Sequence, residues 1–221
     1  MSGYINVVSR TQHIIVDPGS SAIAVINAGP PRSGDSGGSG GSDGIVIMLP
    51  PPLTSGSPFQ SFTDNSGDVW VAKGDVNGGS WKRARDVLHG HWYRTIAWTI
   101  PTVKTIFGHN LKDIDDYDVY NGGTGFLTAL VGGIYRVDNS IAGGSTASGI
   151  WVQALLYKET TILSYGLSHS ASTVWVMATA SWVGRLNAGE KIATYEAASV
   201  AQVGQVAPGT TQMSFSYLGA G

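Results

Sequence analysis

The chain predicts an all-β protein whose main body is a sandwich or jelly roll. Three observations point there. From residue 91 to 221 apolar and polar residues alternate with period two in short runs: "WYRTIAWTI", "GFLTALV", "GIYRVDNSI", "GIWVQALLYK", "TVWVMATASWV", "EKIATYEAA" and "QMSFSYLG". A period of two puts alternate side chains on opposite faces of a strand, and such runs at short intervals favour stacked antiparallel sheets over a βαβ fold. No run carries the helical spacing. With 31 glycines and 9 prolines among 221 residues, turn residues punctuate the whole chain.

Taken in order, residues 4–28, "YINVVSRTQHIIVDPGSSAIAVINA", hold three β-branched runs parted by Ser9-Arg10-Thr11 and by Asp17-Pro18-Gly19-Ser20. So short a segment cannot bury a core alone. Residues 1–32 are therefore expected to dock, adding strands to another body or assembly.

Residues 33–44 are only Ser, Gly and Asp, and read as a flexible linker. Gly34, Gly37 and Gly40 keep a collagen frame until Asp43 breaks it, which does not make a triple helix. The same stretch spells Gly-Asp-Ser-Gly-Gly around Ser36, as in serine proteases of the chymotrypsin type. Only His13 and Asp17 precede it as partners, and no barrel does. Ser36 is expected to belong to a tether, not to a nucleophilic site.

Residues 45–90 open on "GIVIMLPPPL" and continue with "GDVWVAKGDVNGGSWKRARDV". Val69 and Val71 alternate with Trp70, and Asn77-Gly78-Gly79 stands as a turn before Trp81. That predicts a small tryptophan-bearing hairpin. The head proper is expected over residues 91–221.

Within the head, "YDVYNGGTGFLTALVGGIYRVDNSI" (117–141) resembles the globular head of complement's first component and its tumour-necrosis-factor-like relatives, through Gly125, Phe126, Gly133 and Tyr135. "LLYKETT" resembles that family's exposed strand turn. "SWVGRLNAGEKIATYEA" is similar to its leucine-glycine-acid element through Leu186, Gly189, Glu190 and Ile192, and "TTQMSFSYLGAG" to its last strand through Ser214, Phe215, Tyr217 and Leu218. The resemblance implies a ten-strand-type, tumour-necrosis-factor-like jelly roll assembled as a homotrimer. The glycines suit sharp turns of the backbone into strands. Phe126, Tyr135, Phe215 and Tyr217 suit either the sandwich interior or a shared axis.

The front of the chain, "VVSRTQHIIVDPGSSAIAVINAGPP" before a glycine-rich stretch, resembles the N-termini of minor tail and collagen-like virion proteins of actinobacteriophages. That resemblance implies a virion location, a non-enzymatic structural role, and other virion proteins as partners of residues 1–32. A minor tail component displaying a head to the host surface is the leading expectation. Capsid decoration is the first alternative and a cell-envelope glycan hydrolase the second, although no pair of carboxylates can be placed for hydrolysis from the sequence.

Charged residues are 13% of the chain and the formal net charge is −2, which leaves neither a nucleic-acid footprint nor an acidic tail. No apolar run reaches membrane-spanning length, and no charged and apolar leader opens the chain. Cysteine is absent, which removes disulfides, thiolate metal sites and thiol nucleophiles. Asp113, Asp115, Asp116 and Asp118 supply hard oxygens at calcium-like spacing, without the glycine and distal glutamate of an EF-hand loop. No other cofactor is expected. His89 and His91 with His109 form a second metal candidate, against exposed histidines at a hairpin exit. Trp70, Trp81, Trp92, Trp98, Trp151, Trp175 and Trp182 are expected mainly in the core or at interfaces, with host glycan as a further contact.

Overall fold

The structure is a computed structural model, and it describes residues 12–16, 22–27, 45–48, 59–64, 66–73, 81–144, 148–171, 175–206 and 209–221. Two compact units divide after Trp81. The described residues are almost entirely strand, with one helical turn.

In the first unit, β1 (Gln12–Val16), β2 (Ala22–Asn27) and β3 (Ile45–Met48) form an antiparallel sheet in the order β1-β2-β3. Gln12 faces Asn27 across the first pair and Val25 faces Ile45 across the second. The boundaries expected at 32/33 and 44/45 fall in sequence between β2 and β3, which pair in one sheet. Ser36 and the linker lie outside the described residues.

A separate hairpin pairs β4 (Phe59–Thr63) with β5 (Val69–Lys73). Val69–Val71 is a strand, as its alternation predicts, and β4 pairs with it from upstream. The turn is organised by Asp64. One carboxylate oxygen accepts the Ser66 and Asp68 backbone N–H groups and the other accepts Trp70 Nε1 at 2.8 Å. The Ser66 and Trp70 donors hold Asp64 down at about 2. Phe62 stacks near Trp70 and meets Trp81 edge-on. The expected turn at Asn77-Gly78-Gly79 lies outside the described residues.

The second unit, Lys82–Gly221, is the head. It begins with β6 (Lys82–Arg83), the turn α1 (Ala84–Val87) and β7 (His89–Tyr93), so the boundary expected at 90/91 cuts a strand. Next come β8 (Thr99–Ile100), β9 (Thr105–Ile106), β10 (Leu111–Ile114), β11 (Tyr120–Asn121) and β12 (Phe126–Thr128). The long strands are β13 (Gly133–Gly144), β14 (Trp151–Lys158), β15 (Thr161–His169), β16 (Trp175–Leu186) and β17 (Lys191–Ala198). The short β18 (Gln202–Val203) precedes β19 (Gln212–Gly219).

One sheet runs β10-β7-β19-β13-β16 and the other β11-β12-β17-β14-β15, with β9 also paired to β17. From β13 onward the chain changes sheet repeatedly, which makes the sandwich a jelly roll. "WYRTIAWTI", expected as one strand, is broken between Tyr93 and Thr99. There the Asn110 side chain accepts the Thr95 and Ile96 N–H groups, bonds that replace a ladder.

Burial follows the period of two. Along β19 Met213, Phe215 and Tyr217 are buried, as are Tyr135, Val137, Leu127, Leu156 and Ile192 on other strands. Each such side chain contributes about 1.5–3 kcal/mol by leaving water. Tyr135 and Tyr217 pack edge to face at 5.3 Å. These aromatics therefore fill the sandwich interior, and the shared-axis alternative falls for Tyr135, Phe215 and Tyr217. Phe126 is half-buried beside Leu155, Tyr157 and Ala193. Gly125 has φ +72° and Gly133 φ +155°, and a Cβ at Gly133 would meet Gly219 O at 2.3 Å. Glycine is required at both for conformation and space. Leu186 is buried and Gly189 lies in the turn that Glu190 closes by accepting the Asn187 N–H.

Candidate functional site

Two features of the head stand apart from ordinary sandwich packing. The first is an exposed apolar seam. β15 and β16 are edge strands of different sheets, and they meet so closely that a Cβ on Gly166 would lie 2.0 Å from Thr179 O. Their outward side chains include Ile162, Tyr165, Leu167, Trp175, Met177 and Val183, from 46% to 63% exposed. At the opposite edge of the five-stranded sheet, β10 exposes Leu111 and Ile114. Between these edges the outward face is polar, carrying His91, Ser214, Asp138 and Ser181 in one cross-strand row.

The second feature is a cleft of about 710 Å³ at the end of β7, walled by Trp92, Trp98, Phe107 and Tyr120. Arg94, His109 and Glu196 also line it. Arg94 lies 5.6 Å from the Trp98 ring and 5.4 Å from Phe107, and donates to Ile96 O and Gly108 O. Glu196 occupies an inward position of β17 and is 4% exposed. Burial pushes its carboxyl up to about 8, against the Trp98 N–H donated at 2.9 Å and the Arg94 charge. His109 is fully buried, with Nδ1 2.9 Å from Tyr120 Oη and Nε2 without a partner. Burial first, then the Arg94 and His91 charges, hold it down at about 3.

The structure does not gather the expected calcium carboxylates. Asp115 turns inward, accepting the Val119 and Tyr120 N–H groups at 2.9 Å and Trp92 Nε1 at 3.2 Å. Asp118 pairs with Lys112 at 2.9 Å, and Asp113 lies 3.6 Å from His91 Nδ1. Asp116 lies in the turn between β10 and β11. The histidine candidate is likewise dispersed: His89 and His91 share the outer face of β7, while His109 is interior. Among the described residues no three His, Cys, Asp or Glu side chains are grouped to hold a metal ion.

The tryptophans divide between roles. Trp92 and Trp98 wall the cleft, Trp175 belongs to the seam, and Trp70 and Trp81 pack with Phe62 in the first unit. Arg94 and Glu196 were not singled out from the sequence. A signal existed for Glu196: in "KIATYEAA" it falls on the same phase as Ile192 and Thr194, the phase that is buried. No helix among the described residues is long and apolar enough to cross a membrane.

No family model matches the chain, and no curated protein matches it. Among solved structures, murine APRIL is similar at 13% identity over 59% of this chain and 98% of that one, with a TM-score of 0.47. The Eiger TNF of S. frugiperda is similar at 12% identity over 61% and 94%, with a TM-score of 0.45. The globular domain of zebrafish complement 1qA is similar at 13% identity over 59% and 96%, also at 0.45.

Proposed function

We propose that the head is a non-enzymatic, self-associating binding module, assembled as a homotrimer and carried on a phage virion as a minor tail component that meets the host surface. The apolar seam is the observation that carries the reading. Large apolar side chains stand exposed on both strands, and an edge strand of 12 residues such as β16 is a liability unless covered. Apolar residues stand at both opposite edges of one sheet. A seam-to-β10 contact therefore joins unlike surfaces, and such contacts close into rings, not twofold dimers. The number three comes from the resemblance of residues 117–218 to trimeric heads, and the virion role from the resemblance of the N-terminal segment. Residues 1–32 would then dock on other virion proteins.

Light scattering on the full chain is the test. A mass of three chains is expected, and a monomer at micromolar concentration would overturn the self-association. Copy number per virion separates a tail component, at a few trimers, from a capsid decoration protein at dozens. A glycan hydrolase is the second reading, favoured by Glu196 and Asp118 lining one cleft, with Glu196 protonated at neutral pH as a general acid would be. Against it, Lys112 engages the Asp118 carboxylate. Incubation with host cell-wall polysaccharide is expected to release no reducing ends; release would overturn the non-enzymatic reading.

A further inference from the structure

Arg94 lines the cleft with donors that the protein leaves open. A guanidinium carries five N–H groups. Two of those on Arg94 go to Ile96 O and Gly108 O, at 3.1 Å each, and the others have no partner among the described residues. The sealed side-chain nitrogens and oxygens without a partner, among the described residues, are His109 Nε2 and Asn139 Oδ1, so the open Arg94 nitrogen is reached by solvent. Arg94 is half-buried beside the Trp98 and Phe107 rings, and no carboxylate among the described residues pairs with it. Two carbonyls and two rings thus fix a positive charge that the chain does not neutralise.

Glu196 adds a second open group. The residue is 4% exposed, Oε2 takes the Trp98 N–H at 2.9 Å, and Oε1 is neither bonded nor sealed. Burial keeps this carboxyl protonated at neutral pH, and with Oε2 accepting, the proton belongs on Oε1. Trp98 ties the two groups together, because its Nε1 bonds Glu196 while its ring lies 5.6 Å from Arg94. The other charges of the lining cancel: Lys112 holds Asp118 at 2.9 Å, and His109 is neutral, with an Nε2 that does not reach water. The cleft of about 710 Å³ therefore presents one uncompensated positive charge with N–H and O–H donors beside it.

A cation would be repelled there, and a dianion would bring a second charge without a partner. A monoanion with two acceptor oxygens in one plane answers the guanidinium fork, and a carboxylate has that geometry. Trp92, Trp98 and Ile106, none of them fully buried, supply apolar surface for a ring attached to it.

We propose that the cleft binds a monocarboxylate carrying an apolar ring, with Arg94 donating to the carboxylate and the Glu196 O–H donating to one of its oxygens. The site lies within one head and rests on neither the trimer nor the virion reading. A chain that scatters as a monomer yet binds ring carboxylates would fail those readings and leave this one intact.

The test titrates the full chain, labelled with ¹⁵N in tryptophan, with benzoate and cyclohexanecarboxylate at pH 7. Benzamide, acetate, benzylammonium and inorganic phosphate are the comparison solutes. The two ring carboxylates are expected to move the Trp98 indole N–H resonance, which reports on Glu196, and to saturate. Benzamide, the ring without the charge, and acetate, the charge without the ring, are expected to bind at least about tenfold more weakly, since charge-assisted bonds are about twice as strong as neutral ones and apolar contact adds to them. Benzoate affinity is expected to fall from pH 7 to pH 9, because Glu196, held at about 8, then loses its donated proton and sets a negative charge beside the ligand while Arg94 stays protonated. Arg94→Gln keeps N–H donors without the charge and is expected to weaken benzoate at least about tenfold. Should that variant not fold, the solute series and the pH series on the parent chain decide. Benzamide or acetate binding as tightly as benzoate, benzylammonium or phosphate binding more tightly than the ring carboxylates, an affinity for benzoate that stays constant from pH 7 to pH 9, or no shift with any solute would overturn the proposal.

Discussion

The β15–β16 seam and the Arg94 cleft depart from the usual distribution of side chains in opposite directions. At the seam, Trp175 and Tyr165 stand more than half exposed, at 52% and 63%, where polar residues would cost nothing. In the cleft, Glu196 and His109 are buried at 4% and 0%, where apolar residues would avoid the desolvation of an ionisable group. Both regions sit on the same sandwich, whose other strands obey the alternation closely. Single exposed apolar residues are ordinary, whereas so many on two edge strands, and a buried ionisable group, each call for a reason. A partner surface would supply one for the seam. The seam and the cleft share no residue, so each can be altered alone.

The largest effect should come from charging the seam. Trp175→Arg with Val183→Arg puts two like charges on outward positions of β16 while leaving the interior untouched. Trimers are expected to become monomers by light scattering, with the thermal midpoint of the isolated subunit little changed. A variant that stays trimeric would locate the self-contact elsewhere on the head.

The cleft wall should respond next. Asp115→Ala removes the acceptor of two backbone N–H groups and of Trp92 Nε1, in the turn that positions Tyr120. Leaving buried donors without a partner costs about 1–3 kcal/mol each, so a loss on the order of 3 kcal/mol is expected in denaturant unfolding. Asp113→Ala, at a half-exposed position, should change stability by less than about 0.5 kcal/mol. Equal effects of the two substitutions would mean that Asp115 does not organise the turn.

A smaller change lies where the two sheets meet. Gly166→Ala places a methyl 2.0 Å from a backbone carbonyl of β16, which can yield only if the strands part. Overpacking of this kind costs about 1–3 kcal/mol. Because the seam is shared by both strands, the same substitution should weaken self-association as well as lower the midpoint. A midpoint shift with an unchanged trimer would show that the seam tolerates parting.

Most of the sandwich was legible because alternation is a local signal: "QMSFSYLG" is β19 residue for residue, and "EKIATYEAA" contains β17. The break after Tyr93 was not legible, since it depends on Asn110 reaching back to Thr95 and Ile96 across the cleft rim. Pairing was less legible than strand position. Nothing local in "GIVIM" says that it returns to Ala22–Asn27. The acidic run 113–118 misled because closeness in sequence is not convergence: backbone N–H groups, His91 and Lys112 each draw a different carboxylate away. Glu196 could have been found by asking which strand carries a charge on its apolar phase.

The finest test of the contrast is the pH profile of the subunit, because the seam contains no titratable group that should matter near neutrality and the cleft contains two. Glu196 is held at about 8 in the folded chain against an ordinary 4.5, so between those values the folded state retains a proton that the unfolded state has released. Stability therefore falls as pH rises through that window. His109 is held at about 3 against an ordinary 6.5, so between those values the unfolded state carries the extra proton and stability falls as pH drops. From 4.5 to 6.5 the two slopes oppose and cancel, leaving a plateau; above it only Glu196 acts, and below it only His109. Each limb has a limiting slope of about 1.4 kcal/mol per pH unit, reduced in practice by relaxation and by other groups. Those others are named by their contacts: Arg94 faces both buried groups and His91 faces His109, while burial raises Asp115, whose own contribution falls as pH rises from its ordinary 3.8. Subtracting variants isolates the pair. Glu196→Gln keeps an acceptor for Trp98 and should remove the alkaline limb alone, and His109→Gln should remove the acidic limb alone. Urea unfolding of the monomeric seam variant across the pH range checks this without the trimer's concentration dependence. If Glu196→Gln follows the parent chain above pH 6.5, burial does not hold the Glu196 carboxyl protonated there.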